Sequence, residues 1–170
     1  MKEKAQGFAI LEEVKAVTFS RFLEWLYTGS YTLPPSEREQ LMQDGVEITT
    51  EDCTDVYVGL AELYVFADSR DIGALKIRVL RDLRAREKDN AKALFGIADI
   101  VSYIYENTTP SSEEKLEPLR AFAMDFCSEF GLETLATNEY LRDVIRADQG
   151  ELLKDFMWML GKKTPPSQKK

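Results

Sequence analysis

The side chains that could do chemistry in this 170-residue chain are carboxylates, lysines, arginines, hydroxyls and two cysteines; there is no histidine. That one absence removes the commonest general base and nucleophile partner, so Ser–His and Cys–His arrangements are ruled out. A zinc site would have to use carboxylates, because no CxxC is present and no imidazole is available; such sites are rare. Cys127 falls in a helical pattern and reads as a small core residue, and the carboxylates around Cys53 disfavour its thiolate. The Gly-rich phosphate cradles and the nucleophile-elbow motif are also missing. Paired acids are plentiful, but they stand on acidic loops and helix faces, where solvation is their expected role. The expectation is therefore a non-enzymatic protein with no cofactor, no metal and no small-molecule substrate; a carboxylate or lysine enzyme is the least favoured alternative.

The charges are unevenly distributed. The chain carries 30 Asp and Glu against 22 Lys and Arg, a net charge of -8. Such a balance opposes wholesale attraction to nucleic acid or to an anionic membrane. Glu37, Glu39, Asp44, Glu47, Glu51, Asp52 and Asp55 form one acidic run with only Arg38 to oppose them. Lys76, Arg78, Arg81, Arg84, Arg86 and Lys88 form the counterpart. A helix face in water is the first reading of that basic run, and a site for phosphate or an acidic partner the second. No apolar run reaches membrane-spanning length, and MKEKAQG is not followed by a signal-type apolar stretch. The expected location is cytoplasmic or nuclear, with free thiols, and there the sequon at Asn107 carries no meaning.

The elements that must carry these residues are helices. Apolar residues at 44% and charged residues at 31% are ordinary for a globular fold. Phe8 to Leu11 could form a short strand. Thr18 reads as the N-cap of a first helix over 18–28, with Phe19, Phe22, Leu23, Leu26 and Tyr27 at helical spacing and Gly29 as its stop. Residues 30–51 form a long acidic loop, with a capping-box pair, Ser36 and Glu39, that predicts a short helix at 36–43. A second helix over 54–68 is apolar around its whole circumference and must be enclosed on all sides. Leu60, Leu63, Tyr64 and Ala67 are expected to be nearly fully buried.

Asp71 reads as the cap of a third helix, with Ile72, Leu75, Val79 and Leu83 on one face. Asn90 is expected to cap a fourth helix holding Leu94, Phe95, Ala98, Val101 and Tyr105. Ser111 with Glu114 suggests a capping box for a fifth, carrying Leu116, Leu119, Phe122, Ala123, Phe126, Cys127 and Phe130, with Gly131 closing it. Two shorter helices are predicted near 138–147 and 150–160. The fold class is mainly α, with at most two short strands, and the tail from Gly161 is expected to be disordered.

One pattern is specific enough to carry a family. TFSRFLEWLYTGSY at 18–31 resembles a segment of BTB/POZ domains, especially the fungal type, through Phe19, Phe22, Leu23, Trp25, Leu26, Tyr27, Thr28, Gly29 and Tyr31. LAELYVFADSRDIGALKIRVLRDL at 60–83 resembles the next helix pair of that family, apart from Arg70, where an aromatic is usual. YIYENTTP at 103–110 with Leu119 and Arg120 is similar to the helical extension behind many fungal members. The strand hairpin and two helices that usually open the family's domain, with their D-x-x-[VF] and H-K-x-x-L motifs, have no counterpart. The resemblance implies a BTB/POZ-like domain over 8–87 lacking the N-terminal part of its fold, a helical extension over 88–160 and a tail over 161–170.

It further implies a protein-interaction module, an adaptor or oligomerisation scaffold of ubiquitin-ligase or transcriptional type. Cullin contact and dimerisation in the family lean partly on the missing portion. Phe19, Phe22, Trp25 and Leu26 are the candidate interaction residues, left for other apolar surface to cover. The candidates for that cover are the segment 131–160 folded back through Phe156, Trp158 and Leu160, a second copy of the chain, or a partner protein. A structural remnant without a dedicated partner is the alternative reading.

Overall fold

The computed structural model describes residues 14–32, 50–86, 96–112, 116–129, 137–147 and 150–163. The proposed strand at 8–11, the short helix at 36–43, most of the acidic loop, Asn90, Leu94, Phe95, Phe130, Gly131 and most of the tail lie outside them. Among the described residues the fold is mainly α, with seven helices and no strand. The chain divides into two compact units, residues 1–32 and residues 33–170.

The first unit holds α1, Ala16–Thr28. The helix begins two residues before the expected start. Lys15 occupies the N-cap without a side-chain cap bond, and Thr18 lies inside the first turn, buried. A first turn can leave its N–H groups to water, so a good capping residue nearby is not obliged to cap. Gly29 does end the helix as expected: its φ of 74° is left-handed and its N–H reaches the Trp25 carbonyl at 2.8 Å. Beyond it, Thr32 donates to the Glu24 carboxylate twice, from its backbone N–H and its hydroxyl, each at 2.6 Å. Those two bonds, the hydroxyl's first, lower the Glu24 carboxyl below its usual range and fold the chain back along the helix.

The second unit is built around α2, Thr50–Ser69. Leu60, Leu63, Tyr64 and Ala67 are fully enclosed, as their position on a helix apolar all round requires. Helix α3, Gly73–Arg86, and α4, Ile97–Asn107, pack against α2. Helix α5, Pro118–Glu129, packs on α3 and α4. Its rings reach α2: Tyr57 lies 6.3 Å from Phe122 and 5.2 Å from Phe126, centroid to centroid, close enough for favourable aromatic pairing. Helices α6, Glu139–Ala147, and α7, Glu151–Lys163, follow near their expected places. Helix α6 packs on α4, and α7 on both α5 and α6.

Two local expectations are corrected. Asp71 does not cap α3. It takes a left-handed φ of 55°, and Ile72 donates to the Ala67 carbonyl at 2.8 Å while Asp71 donates to Asp68 at 3.0 Å. This is the Schellman closure of α2, usually given to glycine. Ser111 opens no capping box, because α5 starts at Pro118. Glu117 stands before it, and its carboxylate accepts from the Leu119 and Arg120 N–H groups at 2.8 and 2.9 Å. Proline at the first helical position preceded by an acidic cap is a favoured start. On α7 the buried face is Leu152, Asp155 and Met159, while Phe156 and Trp158 are half-buried.

Candidate functional site

The proposed interaction residues sit together on α1. Phe19, Phe22 and Leu26 follow a three-then-four spacing, which stacks them along one side of a helix, and Trp25 adjoins Phe22 one turn on. The Phe19 and Phe22 ring centroids are 6.0 Å apart. None of the four is buried: Phe19, Phe22 and Trp25 are half-buried and Leu26 is 55% exposed. Tyr27, read from the sequence as a helix-face residue, is 83% exposed. The helix therefore presents large apolar surface at its C-terminal end, where Gly29 turns the chain.

A second constellation escaped the sequence reading, a buried polar clasp between α4, α5 and α7. Arg120 enters it from the second residue after the Pro118 start of α5 and is almost wholly buried. Its Nε donates to Thr108 Oγ1 at 2.9 Å, Nη2 to the Thr108 carbonyl at 3.0 Å and Nη1 to Glu151 Oε2 at 3.0 Å. The guanidinium also lies 4.4 Å from the Tyr105 ring centre, a cation–π distance. Asp155, buried on α7, accepts from the Tyr105 hydroxyl at 2.9 Å and from the Ser111 hydroxyl at 3.1 Å. Its Oδ2 is 3.7 Å from Arg120 Nη1. Ser111 in turn accepts the Glu117 N–H at 3.2 Å, and Glu117 Oε1 accepts the Tyr64 hydroxyl at 2.8 Å, tying the clasp to α2.

Burial and these carboxylates act together on the phenols. Burial first, then the hydrogen bond to Glu117, raises Tyr64 far above the ordinary phenol range. Burial first, then Asp155, does the same to Tyr105. Both phenols stay protonated and donate, which suits a buried carboxylate that needs donors. Every buried side-chain N or O among the described residues has a partner. Each buried polar group in the clasp is thus committed to another, an arrangement that binds helices together.

The sequence did carry a signal for this clasp. Arg120 falls in register with Ala123 and Cys127 on the buried stripe of α5, and Asp155 with Leu152 and Met159 on that of α7. A charge inside an apolar stripe needs an opposite charge facing it. Cys127 is buried as expected, and burial pushes its thiol up to about 12.

The basic run from Lys76 to Arg86 lies on α3, and Lys88 falls outside the described residues. Arg78 Nε pairs with Asp82 at 2.8 Å and Lys76 pairs with Asp68, while Arg81 and Arg84 point outward, exposed. Among the described residues no group of three or more His, Cys, Asp or Glu is placed to hold a metal ion. No helix among them is long and apolar enough to cross a membrane. No family model matches the chain, and no curated protein or solved structure matches it.

Proposed function

We propose that the chain is a non-enzymatic protein–protein interaction module, BTB/POZ-like in its sequence pattern, that acts as an oligomerisation scaffold or adaptor. The observation that carries this reading is the exposed apolar end of α1, with Leu26 at 55% and Tyr27 at 83% exposure. Large apolar side chains held on a helix and left in solvent are the material of association surfaces, where aromatics anchor the buried centre. The lack of histidine and the mutual commitment of the polar groups in the clasp support a binding rather than a catalytic role. Adaptor roles of ubiquitin-ligase or transcriptional type belong to this proposal through the family resemblance alone; placement in the cytoplasm or nucleus rests on the lack of a membrane-spanning apolar run in the sequence.

The surface can be tested by its self-association. Light scattering on the full chain, from about 1 μM to about 1 mM, spans the affinities of weak and firm association. A mass that rises with concentration, and that Leu26→Asp with Tyr27→Asp returns to the monomer, is the expected result. A chain that stays monomeric over the whole range overturns the oligomerisation reading. So does a double variant that associates like the parent.

A further inference from the structure

Helix α3 has two faces with different work. Leu75, Val79 and Leu83, at four-residue spacing, are fully enclosed and hold the helix to the second unit. On the opposite side Ala74, Ile77, Arg81 and Arg84 follow at spacings of three, four and three, and all four are exposed. Ile77 is 72% exposed, more than any other large aliphatic residue described. The three–four–three spacing is the seam along which one helix lies against another.

The charges on this helix are sorted in the same way. The flanking cations are neutralised within the chain, Arg78 by Asp82 and Lys76 by Asp68. On the outer seam Arg81 comes no nearer than 3.9 Å to Asp82 with its side chain 68% exposed, and Arg84 has no ion pair among the described residues. The seam is thus cationic at one end and apolar at the other, on a chain whose net charge is -8.

We propose that this seam docks an acidic amphipathic helix of a partner protein, lying antiparallel to α3. The small Ala74 beside Ile77 leaves room for a large apolar residue of the partner. One and two turns on, the two guanidiniums offer forked donors that match carboxylates better than an ammonium would. An antiparallel partner brings the first turn of its own helix to Arg81 and Arg84, where acidic residues are favoured by the helix dipole. The overall negative charge argues against a nucleic acid or an anionic membrane as the occupant, since both would be repelled beyond this short seam. A second copy of α3 would bring arginines into the same seam. The seam and the α1 residues belong to different units of the chain, and the test reads the seam by variants other than those at Leu26 and Tyr27.

The test uses the full chain and a fluorescein-labelled designed helix of about three heptads, with Glu at the seam positions of its first half and Leu at those of its second. Its counterpart carries Lys in place of the seam Glu. Anisotropy is expected to show saturable binding of the Glu peptide at a Kd of about 1–100 μM. Arg81→Glu with Arg84→Glu should weaken the Glu peptide at least about tenfold and confer binding of the Lys peptide, the reciprocal switch that charge complementarity predicts. Ile77→Asp should weaken both pairings. These positions are exposed, and unchanged circular dichroism of the variants checks that the helix is intact. The proposal is overturned by absence of saturable Glu-peptide binding up to about 1 mM, or by charge reversal that gains nothing from the Lys peptide. Tighter binding of duplex DNA or of phosphatidylserine vesicles through the same arginines overturns it too, as does self-association that Ile77→Asp abolishes.

Discussion

Arg120→Met is the substitution that the buried clasp makes most consequential. Methionine fills most of the volume but supplies no donor. Lost with the guanidinium are its bonds to Thr108 Oγ1, the Thr108 carbonyl and Glu151, and the charge 3.7 Å from Asp155. Asp155 would remain buried on α7 with only the Tyr105 and Ser111 hydroxyls as donors. Hydrogen bonds to charged groups contribute about 1.5–3 kcal/mol each, but bonds sharing one side chain do not add. Removing one partner of a buried pair costs about 3–5 kcal/mol, because the other charge stays desolvated. The two hydroxyls offset part of that, so a loss of about 3–4 kcal/mol is expected. Urea titration followed by circular dichroism measures it, and for a chain of this size the melting temperature should fall by about 6–16 °C. The double variant with Asp155→Leu should cost at least about 1.5 kcal/mol less than the sum of the singles. A loss under about 1 kcal/mol for Arg120→Met, or strict additivity in the cycle, would refute the view that this pair holds α7 in place.

Further substitutions probe separate parts of the fold. Burial pushes the Cys127 thiol from 9.0 to about 12, so its contribution is fully present below pH 9 and is lost as pH rises through that window. The unfolding free energy from urea titration should fall above pH 9 by at most about 1.4 kcal/mol per pH unit from this group, and Cys127→Ala should flatten the fall between pH 9 and 10. Asp71→Gly should raise stability by about 0.5–1 kcal/mol by removing the side-chain cost of a left-handed φ, whereas Asp71→Val should lower it by at least about 1 kcal/mol; equal midpoints for the two would contradict the Schellman assignment. An added Cβ at Gly96 would meet Thr54 Oγ1 at 1.7 Å although the backbone there is unstrained, so Gly96→Ala should cost about 1–3 kcal/mol. Thr54→Gly is expected to recover part of that loss, and no recovery in the paired variant would show that the close approach of α2 and α4 is not its cause.

Much of the helix order was legible because burial follows periodicity. The all-round apolar pattern of Val56 to Ala67 required an enclosed helix, and Leu60, Leu63 and Tyr64 are enclosed. Gly29 was legible as a stop because only a residue free of a Cβ takes its φ cheaply. Caps were read less well, since Ser, Thr and Asp near a helix start have several competing uses. Thr18 lies within the first turn, Asp71 closes the preceding helix, and Ser111 gives its hydroxyl to a carboxylate 44 residues away. The candidate residues on α1 were legible as one helix side from their spacing, whereas their degree of exposure depends on the folded chain.

The sequence by itself determined that this chain is helical, where most of its helices run, which chemistry its lack of histidine forbids, and that α3 has one apolar and one basic side. These properties depend on neighbours within a few residues, whose relation along the chain is fixed by covalent geometry. Only the tertiary structure decided that Arg120 and Asp155 meet, that Glu117 both caps α5 and receives Tyr64, and that Lys76 and Arg78 are neutralised while Arg81 and Arg84 stay in solvent. The reason is physical: a buried charge is tolerated only against a partner brought by another element, and the partner's distance along the chain, 35 residues from Arg120 to Asp155, leaves no local trace of the pairing.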